Sequence, residues 1–216
     1  MYPTDYPPSP ARVLASLLLC AAIVVLCYFF VDPAVAFWVD RENLRRYGIF
    51  EAATHLVDVI VWLTALYYVV FAFTYERQLG TRRPLLDVAN SVTIAVFLKD
   101  ALKYVFGRYW PATWINQNPS LLHDHAYGFH PFHAGAAYQS FPSGHTTVAL
   151  AAMSAVWIGL PRWRWLAVLV SAAVVAGLLA MDYHFVGDCV AGAWLGATVA
   201  RYVTAHQRER RARIHL

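Results

Sequence analysis

Long apolar stretches separated by short polar joints are the feature that most constrains how this chain folds. Hydrophobic residues make up 59% of the 216 residues and charged residues only 14%. A helix needs about 20 mainly apolar residues to cross the hydrocarbon of a bilayer. The apolar stretches are residues 13–31, 50–73, 85–106, 146–160, 165–181 and 186–203. They predict an all-α, polytopic membrane bundle of about six transmembrane helices, which forms a single domain over residues 1–216.

The first stretch leaves two interpretations open. It follows Arg12 and ends near the small residues of 34–36, a pattern similar to a signal-peptidase site. Its apolar part is longer than the roughly 7 to 15 residues usual in a signal peptide, which favours a retained span. Residues 34–47 carry several charges and are expected to form an amphipathic segment along the interface.

The arginines predict the orientation of the bundle, because positive residues collect on the cytoplasmic side of short loops. If six spans alternate, one side carries Arg12, Arg77, Arg82, Arg83, Arg162, Arg164, Arg208, Arg210, Arg211 and Arg213. The long polar loop 107–140 and the turns near Pro142 and Tyr183 then share the opposite side. We therefore expect a site on the periplasmic, or outer, face of the inner membrane.

Neither the net charge nor the cysteines indicate other classes of function. The net charge of +4 comes mostly from arginines beside the apolar stretches, so nucleic acid is not an expected partner. Cys20, Cys27 and Cys189 lie in apolar segments without the close pairing of metal or redox sites.

The segment 140–147, Ser-Phe-Pro-Ser-Gly-His-Thr-Thr, precedes the fourth stretch. Ser143 can cap the helix, and Gly144 lets an anion approach the backbone. The free amides and the positive end of the helix dipole together favour an anion. His145 lies in the first turn, where its imidazole could donate a proton to a departing oxygen.

A second histidine, His184, stands four residues before Asp188 at the start of the last stretch. At this spacing the carboxylate can face the imidazole, fix its tautomer and stabilise the charge formed when the ring acts as a nucleophile. A histidine and an aspartate that only satisfy each other at a helix end would show the same spacing.

Cations end the third stretch. Lys103 and Arg108 could neutralise phosphoryl oxygens, since phosphoryl transfer depends mainly on positioning and charge stabilisation. They could also simply anchor the helix at the head groups. Lys99 lies one turn deeper, where pairing with Asp100 or with a carboxylate of the second stretch is the expected role.

These three segments resemble the signatures of the type 2 phosphatidic acid phosphatase family, which occur in this order. The family includes lipid phosphatases and, on a soluble fold, vanadium haloperoxidases. The middle signature matches as Pro142-Ser143-Gly144-His145, and the third matches in the spacing of His184 and Asp188. The first matches in Lys103 and Pro111. The resemblance covers residues 98–195 and implies a haloperoxidase-like helical core.

The resemblance implies a role for each matching residue. His184 would attack phosphorus, Asp188 would orient it, and His145 would protonate the leaving alkoxide. The implied phosphate-binding set is Lys103, Ser143 and Gly144. No metal or other cofactor is implied, and a phosphohistidine would be hydrolysed by water.

Two arginines that usually bind phosphate in the family are absent. Trp110 stands where the first signature has arginine, and Gly177-Leu178 stands where the third has Ser-Arg. Arginine binds phosphate through two parallel hydrogen bonds that neither replacement can supply. Arg108 is the expected substitute, with Arg41, Arg45 and Arg46 as alternatives.

The loop 107–140 contains five acidic or imidazole side chains and several aromatic ones. His123, Asp124, His125, His130 and His133 match no zinc-ligand spacing. The aromatic residues, which include Tyr127, Phe129, Phe132 and Tyr138, suggest a lid over the site at the interface.

The leading hypothesis is therefore a metal-independent membrane phosphatase that hydrolyses a lipid-linked phosphomonoester or diphosphate. Its partners would be the bilayer and a lipid phosphate such as phosphatidate, phosphatidylglycerol phosphate or an isoprenyl diphosphate. Phosphoryl transfer to an acceptor alcohol is the enzymatic alternative. A lipid-binding or transport protein that has lost turnover is the other, because the two arginines are missing.

Overall fold

The computed structural model describes residues 7–74, 84–114 and 116–214, and these residues form helices and loops without a strand. The side chains of residues 211–214 are outside this description. The helices are α1 Pro10–Leu26, α2 Asp32–Arg41, α3 Gly48–Thr54, α4 Leu56–Thr74, α5 Pro84–Phe106, α6 Leu121–Asp124, α7 Gly144–Gly159, α8 Arg164–Ala180 and α9 Val186–Ile214. The predicted all-α bundle is confirmed.

The first helix continues where the sequence predicted a break. A π-helical segment, Cys27–Val31, joins α1 to α2, so that Pro10–Arg41 is one helical run of 32 residues. Pro33 is accommodated in the first turn of α2, where its missing amide has no helical partner to lose. Residues 34–41 therefore continue the first helix, and Leu44–Arg46 form a short 3₁₀ turn of their own. The position of residues 34–47 along the interface stays a prediction.

The remaining stretches agree with the sequence pattern except at their ends. The second stretch is divided at His55 into α3 and α4. The last helix, α9, extends well past the predicted end at residue 203 to Ile214. Among its described residues, the long loop 107–140 forms α6 and a 3₁₀ turn, Ala136–Tyr138.

Close packing of α7 against α9 places the two halves of the candidate site beside each other. A Cβ atom at Gly192 would lie 2.6 Å from the Ser143 carbonyl oxygen, and one at Gly196 would lie 2.3 Å from that of Thr147. Only glycine allows backbones to approach this closely. On α7 the side chains of Ala149, Ala151, Ala152 and Ala155 are fully buried.

The outward surfaces are strongly apolar, as expected for a membrane protein. In the π-helical segment after α1 and on α4, Phe30, Trp62 and Phe73 are 73%, 75% and 87% exposed. Such apolar exposure is unfavourable in water and normal against lipid. Within the described residues, three helical runs are long and apolar enough to cross a membrane: Pro10–Arg41, Gly48–Thr74 and Pro161–Ala180. The number of six spans stays a prediction.

Several of the arginines used to predict orientation lie at one end of the bundle. Arg12 and Arg201 line a common depression between α1 and α9, and Arg208 donates to the carbonyl oxygen of Ile158 at the end of α7. Arg77, Arg82 and Arg83 lie outside the described residues. The candidate site is at the opposite end, where α5 ends and α7 and α9 begin.

Candidate active site

The start of α7 has the predicted anion-binding form. Ser143 is the N-cap residue, and its hydroxyl accepts hydrogen bonds from the backbone amide and the hydroxyl of Thr146. The amide of Ser143 donates to the Asp188 carbonyl oxygen at 3.1 Å, which joins this turn to α9. The predicted capping role of Ser143 is confirmed. The positive end of the α7 dipole therefore lies at Gly144 and His145.

Two lysines from α5 lie against Gly144. A Cβ atom placed on this glycine would be 3.5 Å from Nζ of Lys103 and 3.0 Å from Cδ of Lys99. The Nζ of Lys99 binds Asp100 at 2.6 Å, as expected, but the Lys99 side chain is only 19% exposed. Sequence reasoning placed Lys103 in the site and left Lys99 out, although both belong to the same helix face one turn apart.

His145 and His184 meet, with ring centroids 6.5 Å apart. His145 comes from the first turn of α7, and His184 comes from the tight connection between α8 and α9. The structure thus places a potential nucleophile and a potential proton donor next to each other, beside Gly144.

Asp188 is held by several donors in addition to its histidine neighbour. Its Oδ2 accepts from the Ser140 hydroxyl at 2.6 Å and from the Phe185 amide at 3.1 Å, while Nδ1 of His184 is 3.6 Å away. Its Oδ1 accepts from Arg108 at 2.5 Å. The carboxylate is fully buried. Asp188 is therefore held in place beside His184, but 3.6 Å is too long for a hydrogen bond, so the carboxylate acts on the imidazole through its charge.

Burial also affects the protonation of His184, which is 4% exposed. Desolvation lowers the pKa of His184 below the ordinary value for histidine, although the Asp188 carboxylate opposes this effect. The neutral imidazole, which is the form that can act as a nucleophile, is therefore favoured near neutral pH.

Trp110, which stands at the position of the first missing arginine, packs against the site. Its ring lies 5.1 Å from that of His184, and Nζ of Lys103 is 5.6 Å from its centroid. Its indole nitrogen donates to the Ala136 carbonyl oxygen, which connects Trp110 to a later part of the long loop. An indole has no second donor for a phosphate, so Trp110 contributes packing to the site and supplies no charge.

The second missing arginine corresponds to a position in the helix core. Leu178 is fully buried, and a Cβ atom on the preceding Gly177 would be 2.5 Å from the Phe50 carbonyl oxygen of α3. The close approach of α3 to α8 requires glycine at 177. An arginine at 178 would place a charge among the apolar side chains of this core.

Arg108 does not occupy the place expected of a phosphate ligand. Its side chain is fully buried, and its two terminal nitrogens bind Asp188 and Asp32 at 2.5 and 2.7 Å. Tyr127 also accepts from it at 3.0 Å. Because these donors are already used inside the protein, the geometry disagrees with a role for Arg108 as the substitute for the missing arginines.

The other proposed substitutes lie in or just before the connection from α2 to α3. Arg45 lies 3.7 Å from the buried carboxylate of Asp182, two residues before His184. Burial raises the pKa of Asp182 to about 7, although Arg45 opposes the shift. Arg41 pairs instead with Glu42 at the surface, and Arg46 contacts the ring of its neighbour Tyr47. Of the three, Arg45 is the one connected to the segment that carries His184.

The long loop packs around the site through its aromatic residues. Tyr127 stacks on Tyr28 with ring centroids 4.6 Å apart, and Phe129 contacts Phe141, directly before the Pro142 turn. The His123 side chain is exposed and binds Asp124. Among the described residues, no group of three or more histidine, cysteine, aspartate or glutamate side chains could hold a metal ion.

Fold and site together define a class: a membrane helical bundle in which a capped helix start, a lysine and two histidines meet beside a buried aspartate. The sequence model of the PAP2 superfamily matches residues 84–212, which is more than half of the chain. The protein therefore belongs to the PAP2 superfamily, as the sequence signatures predicted.

Curated relatives agree with this family. The chain is 30% identical over 110 residues to lipid A 1-phosphatases of Rhizobium etli and Rhizobium johnstonii, an alignment that covers 50% of this chain. It covers only 43% and 41% of those proteins' own lengths. No solved structure matches the chain significantly. The protein is thus a membrane protein related to lipid phosphatases.

Proposed function

We propose that this protein hydrolyses a lipid-linked phosphomonoester or diphosphate through a phosphohistidine on His184. The observation that carries the proposal is the meeting of His145 and His184 beside Gly144, with Nζ of Lys103 next to the same glycine. These groups supply a nucleophile, a proton donor, a cation and an anion-binding helix start within one site.

The first step forms the bond from nitrogen to phosphorus. Nε2 of His184 points away from Asp188, so its lone pair attacks phosphorus while the bond from phosphorus to the lipid oxygen breaks. His145, whose pKa burial lowers to about 4 until the negative charge of the bound phosphate raises it again, gives its proton to the departing oxygen. Asp188 stabilises the positive charge on the His184 ring. Lys103 and the amides at the start of α7 hold the phosphoryl oxygens as their charge is redistributed.

The second step regenerates the enzyme. A water molecule attacks the phosphorus of the phosphohistidine and gives a proton to His145, which is now neutral. The bond from nitrogen to phosphorus breaks, inorganic phosphate leaves, and His184 returns to its neutral form. His145 is then protonated for the next cycle, so atoms and charges balance over the two steps.

The substrate class is inferred from the position of the site. The site is at the ends of helices whose outer surfaces are apolar, so an amphiphile can present its phosphate from the bilayer. The names of the two relatives support a phosphate on an acylated sugar as one candidate, beside phosphatidate and an isoprenyl diphosphate. The arginines at the other end of the bundle support a site on the periplasmic face of the inner membrane.

Phosphate release by the purified protein tests the proposal. The full chain in detergent micelles is offered lipid A, phosphatidate and an isoprenyl diphosphate, and inorganic phosphate is measured over time. His184→Ala and His145→Ala are expected to lower turnover by at least about 1,000-fold and 100-fold. The matched control is His123→Ala, which changes an exposed histidine of the long loop and should keep the wild-type rate.

Other results would indicate the two alternatives. A new phosphoester in the presence of an acceptor alcohol, with little free phosphate, would indicate a phosphotransferase. Lipid binding without phosphate release from any member of the panel would indicate a non-catalytic relative, for which the replacement of both arginines by Trp110 and Leu178 is the supporting observation. Full activity in His184→Ala would contradict the assignment of the nucleophile.

A further inference from the structure

Arg108 connects the catalytic segment to the first helical run of the chain. Its Nη1 donates to Oδ1 of Asp188, and its Nη2 donates to Oδ2 of Asp32, 76 residues earlier. Asp32 is 1% exposed and begins α2. A pair of buried ionic bonds therefore links α2 to the carboxylate that faces His184.

The surroundings of Arg108 keep these bonds dry. Its guanidinium carbon lies 4.3 to 5.4 Å from the ring centroids of four aromatic residues, which are Tyr28, Tyr127, Phe129 and Phe185. Away from water, ionic hydrogen bonds are strong, and an uncompensated charge is very unfavourable. Each member of the network is therefore needed to keep the others in place.

Asp32 makes a second contact that bears directly on the helix start. Its Oδ1 accepts a hydrogen bond, 2.9 Å long, from the amide of Gly187, which is the residue before Asp188. A Cβ atom at Gly187 would lie 3.0 Å from Oδ2 of Asp32, so the glycine permits this approach. Asp32 thus holds both the backbone of the first turn of α9 and, through Arg108, the side chain of Asp188.

We infer that Asp32 and Arg108 are positioning residues of the catalytic centre, which fix Asp188 against His184. Nothing in the sequence signatures assigns either residue this role, and the inference rests on the proposed function for its catalytic consequence. Two buried carboxylates share one guanidinium, so the network carries one surplus negative charge. That charge stabilises the positive ring of His184 when it is phosphorylated.

Steady-state kinetics with conservative variants tests this role. Asp32→Asn keeps the size and the acceptor for Gly187 but removes the charge, and it is expected to lower kcat by about 10- to 100-fold, as misplacement of a reacting group does. KM should stay within about twofold, because neither residue touches the phosphate. Arg108→Lys, which keeps the charge, should retain more kcat than Arg108→Gln. Asp40→Asn, an exposed carboxylate on the same helix, is the matched control.

A titration of His184 separates electrostatic positioning from a general loss of structure. The charged or titratable groups that act on His184 are Asp188 from α9, Lys103 from α5 and His145 from α7. Removal of the positive charge in Arg108→Gln should raise the pKa of His184, and removal of the negative charge in Asp32→Asn should lower it. Partial unfolding cannot shift one pKa in opposite directions. The pKa is read from the ¹⁵N resonances of His184, which are assigned by their loss in His184→Ala.

The combined results distinguish this inference from the proposed function. Wild-type kcat and an unshifted His184 pKa in Asp32→Asn, in a protein that His184→Ala inactivates, would overturn the network and leave the phosphatase proposal standing. If the wild type releases no phosphate, the opposite pKa shifts still establish the network, and their absence refutes it. Should Arg108→Gln fail to fold, the double variant Asp32→Asn/Arg108→Gln replaces it, and the pKa of His184 in the double variant should lie above that in Asp32→Asn alone. Equal values in the two would refute the network.

Discussion

Two lysines place side-chain positive charge beside Gly144, the first residue of α7. Lys103 is the signature residue, and Lys99 reaches the same glycine from one turn deeper in α5. Lysine offers a compact charge rather than the planar fork of arginine, and it needs the helix start to complete the coordination of a phosphate. Lys99 is thus the residue that can compensate in part for Trp110 and Leu178.

Lys99→Met is expected to lower kcat/KM by about 10- to 100-fold, the loss of one charged hydrogen bond to phosphate. The matched control is Asp100→Asn, which removes the partner that Lys99 binds at 2.6 Å. If Lys99 serves the phosphate, Asp100→Asn leaves kcat/KM within about twofold of the wild type. Equal losses in the two variants would show that the pair matters only for structure.

The pH dependence of turnover should reflect the lowered pKa of His184. Only the neutral imidazole can attack, and burial keeps the ring neutral to lower pH than an ordinary histidine. The acid limb of kcat/KM, which reports the free enzyme, is therefore expected in micelles below about pH 6.5, the ordinary value for histidine. Titration of the substrate phosphate by ³¹P NMR in the same micelles corrects for its own ionisation. A corrected midpoint above that value would contradict the burial argument.

The predictability of each site residue depended on its distance along the chain from its partners. Ser143 capping and the facing of His184 and Asp188 involve residues three or four apart, so helical geometry alone indicates them. The bonds from Arg108 to Asp32 and Asp188 join residues 76 and 80 positions apart. No local pattern indicates such pairings, and so Arg108 was assigned to the phosphate instead.

Among the helices, the contact of α7 with α9 determines whether the two histidines meet. His145 begins one helix, His184 directly precedes the other, and Gly192 and Gly196 allow the backbones to touch. The sequence showed both apolar stretches, but the identity of neighbouring helices depends on surface shape, which periodicity does not encode. The same limit explains the first helix, where a π-helical segment absorbs the change that was expected to end the span.

Gly196→Ala should destabilise the bundle by about 1–3 kcal/mol, the usual effect of overpacking. The added methyl would meet the Thr147 carbonyl oxygen at 2.3 Å and the Ala151 amide nitrogen at 2.7 Å, and backbone atoms cannot move aside. Thermal unfolding in detergent measures the change. Gly48→Ala, where a Cβ meets nothing within 4 Å, is the control and should unfold near the wild-type temperature. Equal unfolding temperatures for the two variants would show that α7 and α9 are less tightly packed than described.

For the whole molecule, the separation of charge and chemistry between the two ends predicts the topology in the membrane. One end of the bundle, formed by the start of α1, the turn between α7 and α8 and the last part of α9, carries exposed arginines. His145 and His184 lie at the other end. Arginine-rich ends remain in the cytoplasm. The active site should then face the periplasm, where a phosphate on the outer leaflet can reach it.

Labelling of introduced cysteines in cells whose inner membrane is intact and exposed on its periplasmic side tests this topology. Phe132→Cys lies in the exposed part of the long loop, and Arg162→Cys lies in the turn between α7 and α8. A membrane-impermeant maleimide should label Phe132→Cys in intact inner membranes exposed on their periplasmic side, and should label Arg162→Cys only after permeabilisation. The native cysteines Cys20, Cys27 and Cys189 are buried, so the unmodified protein provides the background. The reverse labelling pattern would place the histidines in the cytoplasm and exclude substrates confined to the outer leaflet.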